Sequence, residues 1–420
     1  MSAERVLKAV TRIEEVSAAS WNALANPGGD IADNPFICHE FLLALETSRS
    51  AVAETGWHPF HLLLEHTEKS GGIPELVGCV PMYLKSHSRG EYVFDGGWAD
   101  ALQRAGGRYY PKLQVSVPFT PATGRRLLAR PGPDQTQIHV ELLEGAIGAA
   151  RQLKASSVHF TFLPKSQWEL LGGQQFLQRI DQQFHWHNAN YSNFDGFLAD
   201  LTSKHRKNLK RERRDARTND IQIEWVTGRD LREHHWDAFY GFYTDTGSRK
   251  WGSPYLTREF FSHISASMPE RILLIMCKRA GRYVAGALNF IGSDTLFGRN
   301  WGCLEDHPFL HFEACYYQAI DFAIDRKLAR VEAGAQGGHK LARGYLPEAT
   351  YSAHWIADPR FRGAVDRYLQ EERQHVQRDI EWIEEGHTPF RQGVDLAQIR
   401  GGRINTTAKQ CAASNEAGVE

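Results

Sequence analysis

One stretch constrains the fold more than any other: Phe309 to Tyr345, FLHFEACYYQAIDFAIDRKLARVEAGAQGGHKLARGY. Phe312, Cys315, Tyr316, Ala319, Phe322 and Ala323 recur at three- to four-residue spacing, so they share one face of a helix. Leu328-Ala329-Arg330-Val331 either continues that helix or starts a strand. Gly334, Gly337 and Gly338 then stop regular structure, and the loop carries Gln336, His339, Lys340 and Arg343. A rigid element that delivers the chain into such a loop is a common way to build a site.

The remaining pattern predicts a repeated unit. Residues 6–17 read as a first strand. Pro35 opens a helix whose apolar face is Phe36, Phe41, Leu42 and Leu45, since proline fits a first helical turn. Strands are expected at 60–65, 75–84 and 106–118, with Tyr92-Val93-Phe94 as a short extended segment between the last two. A helix is expected at 134–154, with Asp134 as N-cap, then a strand at 158–163 and a helix at 166–180. After a shift in composition near Phe184, one long helix starts at Phe194. A strand follows at 221–226, then helices at 230–244 and 256–268. A hairpin at 271–291 turns through Arg279-Ala280-Gly281-Arg282, and a strand at 295–301 precedes the opening stretch. Each half therefore runs helix, three strands, loop, helix, strand, and the connected antiparallel strands exclude a purely parallel doubly wound sheet. The expected division is 1–183, 184–360, a charged helix at 361–385 and a disordered tail at 386–420.

Bulk properties narrow the classes. The chain has 420 residues, long enough for two cores. Net charge is -1, so no global field attracts nucleic acid or membrane, and DNA is not an expected partner. Six cysteines show no CxxC and no close pairing, which predicts a reducing compartment. The N-terminus carries charge every few residues, unlike a signal peptide. No apolar run approaches the ~20 residues that span a bilayer. A cytoplasmic protein is expected.

The segments VPMYLKSHSRGEYVFD, VPFTPATGRRLL, SKHRKNLKRERR, GRNWG, HFEACYYQAIDFAI and EAGAQGGHKLARGY together resemble the bacterial Fem-like predicted N-acyltransferase family, of the peptidoglycan biosynthesis or recognition type. The resemblance spans most of residues 35–360. It implies an α/β (α+β) fold of two GNAT-like acyltransferase domains in tandem, with mixed, largely antiparallel sheets flanked by helices. It implies transfer of an acyl or aminoacyl group from acyl-CoA or aminoacyl-tRNA to an amine, such as that of a peptidoglycan precursor. No permanently bound cofactor is implied.

Several constellations carry the candidate chemistry. In the 334–345 loop, Gln336, His339, Lys340 and Arg343 either grip an anion and stabilise an oxyanion or form a solvated turn. Fem-type enzymes have a lysine and glycines near the reaction centre, which singles out Lys340, with His339, as catalytic. Glu332, at the strand end, reads either as general base for an attacking amine or as an ion-pair partner of Arg343 or Lys340. Arg299, Trp301, Glu313 and Tyr317 are candidate substrate-binding residues beside the helix start. The glycine-rich pyrophosphate loop of GNAT domains is replaced there by the acidic CLEDHPFLHF, which weakens the case for CoA. His307, His311 and Glu313 lack recognised metal spacing, so no metal is expected.

In the first half, Thr123, Gly124, Arg125 and Arg126 form either an anion cradle or a plain turn with exposed arginines. The basic run Lys204–Arg217 is either a solvated helix face or a phosphate-binding surface. In it Arg206-Lys207-Asn208-Leu209-Lys210 matches the R-x-x-I/L-R pattern of Fem-type sequences, with lysine last, and Arg206, Lys207 and Lys210 are the candidate phosphate-binding residues. That run leaves two further readings open: an RNA-associating factor that binds tRNA, or a non-catalytic protein that binds a cell-wall precursor or anionic peptide.

Overall fold

The computed structural model describes residues 4–67, 72–250, 254–334 and 337–402. Its strands run in chain order as β1 (Glu4–Val10), β2 (Trp57–Pro59), β3 (His61–Thr67), β4 (Glu75–Val80), β5 (Met82–Lys85), β6 (Lys112–Val115), β7 (Leu128–Ala129) and β8 (Ser157–Leu163) in the first half. They continue as β9 (Leu177–His187), β10 (Gln222–Thr227), β11 (Ile272–Arg279), β12 (Arg282–Ile291), β13 (Thr295–Cys303), β14 (Arg330–Glu332) and β15 (Leu346–Ile356). A small sheet has the order β1-β3-β4-β7. One long sheet, β10-β11-β12-β13-β14-β9-β15-β8-β6-β5-β2, runs through both halves. Only β6/β8 and β13/β14 are parallel; the other neighbours are antiparallel. Each half thus contains one parallel pair in antiparallel surroundings, which bears out the mixed α/β reading.

Two strands tie the halves together, and neither was expected. The helix expected at 166–180 ends at Gly172, and β9 then crosses the 183/184 boundary. β15 returns from the second half and inserts between β8 and β9. Both strands escape pattern reading for one reason. Their register puts Arg179, Gln183 and His185 of β9 on the same face as Thr350, Ser352 and His354 of β15. That face continues through Ser157, His159 and Thr161 of β8 to Lys112 and Gln114 of β6, and all of these side chains are buried. A polar face under cover lacks the apolar alternation that marks a strand.

Burial of those groups is tolerated because they are paired. Lys112 donates to Glu91 at 2.7 Å, to Ser88 at 2.9 Å and to Asp95. His159 and His354 share an Nδ1–Nδ1 contact of 2.7 Å, and Arg179 grips Glu372 through two bonds of 2.7 Å. Helices Gly96–Arg104 and Pro359–Glu384 cover this network: Trp98 stacks edge-on against His354, and Glu372 lies on the second helix. The largest apolar core spans both halves, with Phe36 and Phe41 packed against Phe290, Phe297 and Phe260.

Other expectations shift locally. The strand at 106–118 shortens to β6, and the first strand stops at Val10. Tyr92-Val93-Phe94 is loop. The helix from Phe194 breaks at Leu201–Thr202 into Phe194–Asp200 and Ser203–Ala216. Part of the expected disordered tail is structured: Leu396–Gly401 is helical, and Arg400 bonds Glu348 and Glu384 at 2.6 Å each. Residues 403–420, with Cys411, lie outside the described residues. No helix among the described residues is long and apolar enough to cross a membrane.

Candidate active site

The site is built where β13 and β14 part. They pair over three positions, Thr295–Arg330, Leu296–Val331 and Phe297–Glu332. β14 then ends, while β13 runs on to Cys303 against β12 alone. A bulge falls at the opening: Asn289 faces Gly298 and Leu288 faces Asn300, so Arg299 is the extra residue. Beyond Phe297, one edge of β13 has no strand partner, and its backbone groups face the opening.

The opening stretch covers this gap. Its helix runs Leu310–Phe312, widens into a π turn at Glu313–Tyr317, and resumes at Gln318–Asp325. Between helix and strand lies a pocket of about 100 Å³, lined by Arg299, Asn300 and Trp301 of β13 and by His311, Cys315 and Tyr316. The Trp301 and His311 rings meet at 60° with centroids 5.4 Å apart. Arg299 reaches out of the strand to the Phe119 carbonyl of the first half and lies 5.9 Å from the Tyr92 ring.

The loop that carries Lys340 closes one side as a 3-10 turn, Gly338–Arg343. Lys340 is buried and donates to the Gly334 carbonyl at 2.8 Å; burial pulls its pKa down to about 8. His339 contacts the Tyr316 hydroxyl through Nε2 at 2.9 Å, which links the loop to the pocket. Burial, then Arg343 and Lys340, lower the His339 pKa, which favours a neutral ring.

Three residues expected to bind substrate are occupied by the protein itself. Arg343 donates through Nη2 to both Glu212 oxygens, at 3.0 and 2.9 Å, and its guanidinium lies 3.4 Å over the Phe312 ring. Tyr317 donates to the same carboxylate. Glu313 is fully buried and accepts from Arg213 at 3.2 Å, Arg217 at 3.0 Å and Gln318 at 2.8 Å. These contacts fasten loop and helix to the basic helix Ser203–Ala216. Gln336 lies outside the described residues.

Glu332 pairs with neither Arg343 nor Lys340. It faces the first half, beside Phe297 and His185 in register, where the Thr123 amide bonds it. Its Oε2 is buried with no hydrogen-bond partner. Burial raises its pKa to about 7 against the opposing pull of Arg330.

The anion cradle expected at Thr123–Arg126 does not form. Arg125 donates to the carbonyls of Leu24 (3.0 Å) and Ala129 (3.1 Å), and Arg126 to those of Thr161 (3.0 Å) and Ala122 (2.9 Å). The Gly124 amide is taken by the Phe162 carbonyl, and the Thr123 carbonyl accepts from Asn34. Both guanidinium groups and the Gly124 amide are thus taken by the protein's own carbonyls.

The basic run divides by helix face. Arg206 turns back to the Leu201 carbonyl at 3.2 Å, while Lys207 and Lys210 are exposed, Lys210 pairing with Asp195 at 2.9 Å. Among the described residues, no group of His, Cys, Asp and Glu could hold a metal ion. The sequence groups Arg299-Asn300-Trp301 with His311, and all four line this pocket; it does not single out Tyr316. The available signal was that Tyr316 lies on the helix face already marked, one turn from Phe312.

A sheet carrying two parallel strand pairs, one of which opens over a covering helix, defines the duplicated GNAT-type architecture. Residues 12–392 match the FemAB-like family, described as peptidoglycan biosynthesis/recognition, and the chain belongs to that family. A search of curated proteins gives no match. Among solved structures the chain is similar to FemX, at 11% identity and TM-score 0.50, covering 86% of this chain and 100% of that one. It is also similar to L-PGS from Bacillus licheniformis (10% identity, TM-score 0.46, 81% of this chain and 98% of that one). A third is a tandem GNAT protein from the clavulanic acid biosynthesis pathway (11%, 0.44, 85% and 99%). The likeness to FemX shows the fold.

Proposed function

We propose that the protein is an N-acyltransferase that moves an acyl or aminoacyl group from an activated donor to an amine acceptor, a peptidoglycan precursor or its peptide. The opening of β13 from β14 after three residue pairs, onto a lined pocket, carries this reading. The donor carbonyl lies along the unpartnered edge of β13. Backbone N–H groups there, with Arg299 and Lys340, stabilise the oxyanion. The amine nitrogen attacks the carbonyl carbon and loses a proton to Glu332, whose raised pKa suits a base near neutral pH. The bond from carbon to the leaving group breaks, and the Tyr316 hydroxyl, backed by His339, supplies the leaving group's proton.

Of the two donors, aminoacyl-tRNA is favoured over acyl-CoA. The loop before the helix presents Glu305, paired with Arg279 at 3.1 Å and His307 at 3.0 Å, where a phosphate would meet negative charge. The outer face of the basic helix exposes Lys204, Lys207, Lys210, Arg211 and Arg214, which suits a polyanion. The same acidic loop favours a second reading, a binding protein that recognises such a precursor without turnover.

The test is mass-spectrometric detection of a modified amine after incubating purified protein with panels of acyl-CoAs and aminoacylated tRNAs. Transfer from at least one donor supports the proposal. Tight precursor binding with no transfer from any donor replaces it with the second reading.

A further inference from the structure

The basic run Lys204–Arg217 contains two acidic residues, Glu212 and Asp215. Glu212 is only 9% exposed, whereas Lys207, Arg211 and Arg214 around it face solvent. Helical spacing puts it on one stripe with His205, Leu209 and Ala216.

That stripe meets both walls of the pocket at the β13/β14 opening. One wall is the 3-10 turn of Lys340. There His205 Nδ1 bonds the Ala342 carbonyl at 3.1 Å, and Glu212 accepts from Arg343 at 3.0 and 2.9 Å. The other wall is the π turn Glu313–Tyr317. Tyr317 donates to Glu212, while Arg213 and Arg217 donate to Glu313. Both ends of the π turn are thus pinned to one helix. A π turn is an uncommon widening that concentrates at functional sites.

Glu212 bonds the two walls with one carboxylate. Each partner passes the constraint inward. Arg343 also donates through Nη1 to the His339 carbonyl at 2.7 Å, which fixes the backbone beside Lys340. Tyr317 adjoins Tyr316, whose hydroxyl meets His339 at 2.9 Å. Directional bonds to a buried guanidinium hold one arrangement more narrowly than apolar packing does.

We propose that Glu212 is a positioning residue for transfer: acting through Arg343 and Tyr317, it sets the spacing between the Lys340 turn and the Tyr316 π turn. The inference rests on the proposed reaction for what Lys340 and Tyr316 do.

Two readouts on the full chain test it, and the first needs no donor. The pH dependence of Lys340 labelling by trace acetic anhydride, followed by mass spectrometry, reports the lysine's pKa in place. By charge alone, losing a carboxylate lowers the pKa of a nearby lysine. Release of the turn into water raises it instead, from about 8 toward the ordinary 10.5. Glu212→Gln is expected to raise it. The second readout is steady-state kinetics with a donor that supports transfer. In Glu212→Gln, kcat is expected to fall about ten- to a hundred-fold while the donor KM stays within about two-fold. Glu212→Asp keeps the charge but is one methylene too short to hold both partners, so both readouts are expected to lie between parent and Glu212→Gln. Thermal midpoints show which variants are folded at the assay temperature, and Glu212→Asp carries the comparison if Glu212→Gln is not. An unchanged Lys340 pKa or an unchanged kcat in the folded variants overturns the proposal, as does a change confined to KM. If the parent transfers from no donor, the reaction fails, and the labelling alone decides whether Glu212 holds the turn.

Discussion

The two halves carry the same device and use it oppositely. In each, a parallel strand pair holds for three positions and then parts: Leu113–Val115 against Val158–Phe160, and Thr295–Phe297 against Arg330–Glu332. In the first half the segment after β6 folds back beside β8, with Gly124 bonded to Phe162 and Arg126 to Thr161 and Ala122. In the second half the opening remains a pocket under a widened helical turn. Buried lysines lie in both halves: Lys85 and Lys112 in the first, Lys340 in the second. Lys112 has two carboxylates and a hydroxyl, and its pKa is raised by Glu91 and Asp95 against the opposing effect of burial. Lys340 has one carbonyl, and burial lowers its pKa to about 8. On the proposed reading, structure falls to one copy of the fold and chemistry to the other. Lys112 is fully partnered and Lys340 is not, but the first half also buries the under-partnered Lys85, with the Arg89 carbonyl at 3.4 Å and a pKa lowered by burial to about 6, so partnering separates Lys112 from Lys340 and not one half from the other.

The largest expected effect breaks the structural lysine. Lys112→Met leaves Asp95 with only the Tyr109 hydroxyl and Glu91 with only Lys85 at 3.9 Å, which costs about 3 kcal/mol and is read from denaturant midpoints. Lys340→Met removes a charge with one carbonyl partner, so its stability should stay within about 1 kcal/mol of the parent, while transfer falls at least about a hundred-fold. Similar losses of stability in both variants would erase the distinction.

The next effect is on pH. Glu332 must be ionised to take a proton, so the rate should rise with pH through about 7. Lys340 must be charged to stabilise an oxyanion, so the rate should fall as pH rises through about 8. Glu332→Gln should remove the acid limb and Lys340→Met the alkaline one. The stability sign follows from the same shift. The folded pKa of Glu332 lies above its ordinary value of 4.5, so its contribution is full below pH 4.5 and lost as pH rises through about 7. Glu332→Gln should therefore gain stability relative to the parent above pH 7, as read from thermal midpoints across pH.

The smallest expected effect is at the surface. Lys207→Ala should shift stability by less than about 0.5 kcal/mol, yet lower the salt slope of tRNA binding by roughly 0.7 to 0.9. An unchanged slope would remove the exposed helix face from donor binding.

How much of this could be read in the sequence depended on which face each residue occupies. The hairpin at 272–291 and the helix at 135–152 bury apolar stripes, and their periodicity shows them. β9 and β15 bury arginine, glutamine, histidine, threonine and serine, so their alternation looks like a polar segment. The loop of Lys340 and the opening helix were also legible. Their partners were not. Glu212 meets Arg343 across 131 residues, and Arg213 meets Glu313 across 100, so a local reading left Arg343 and Glu313 free to bind substrate. Arg125 and Arg126 misled for the same reason, since carbonyls distant in the chain take their donors.

Hydrogen exchange measured with and without the donor that supports transfer tests the central claim most directly. If the second opening takes the donor, protection should rise in residues 298–303 and 310–317, with no change in 112–126. Protection confined to 112–126 and 157–163 would place the donor in the first half and contradict the assignment.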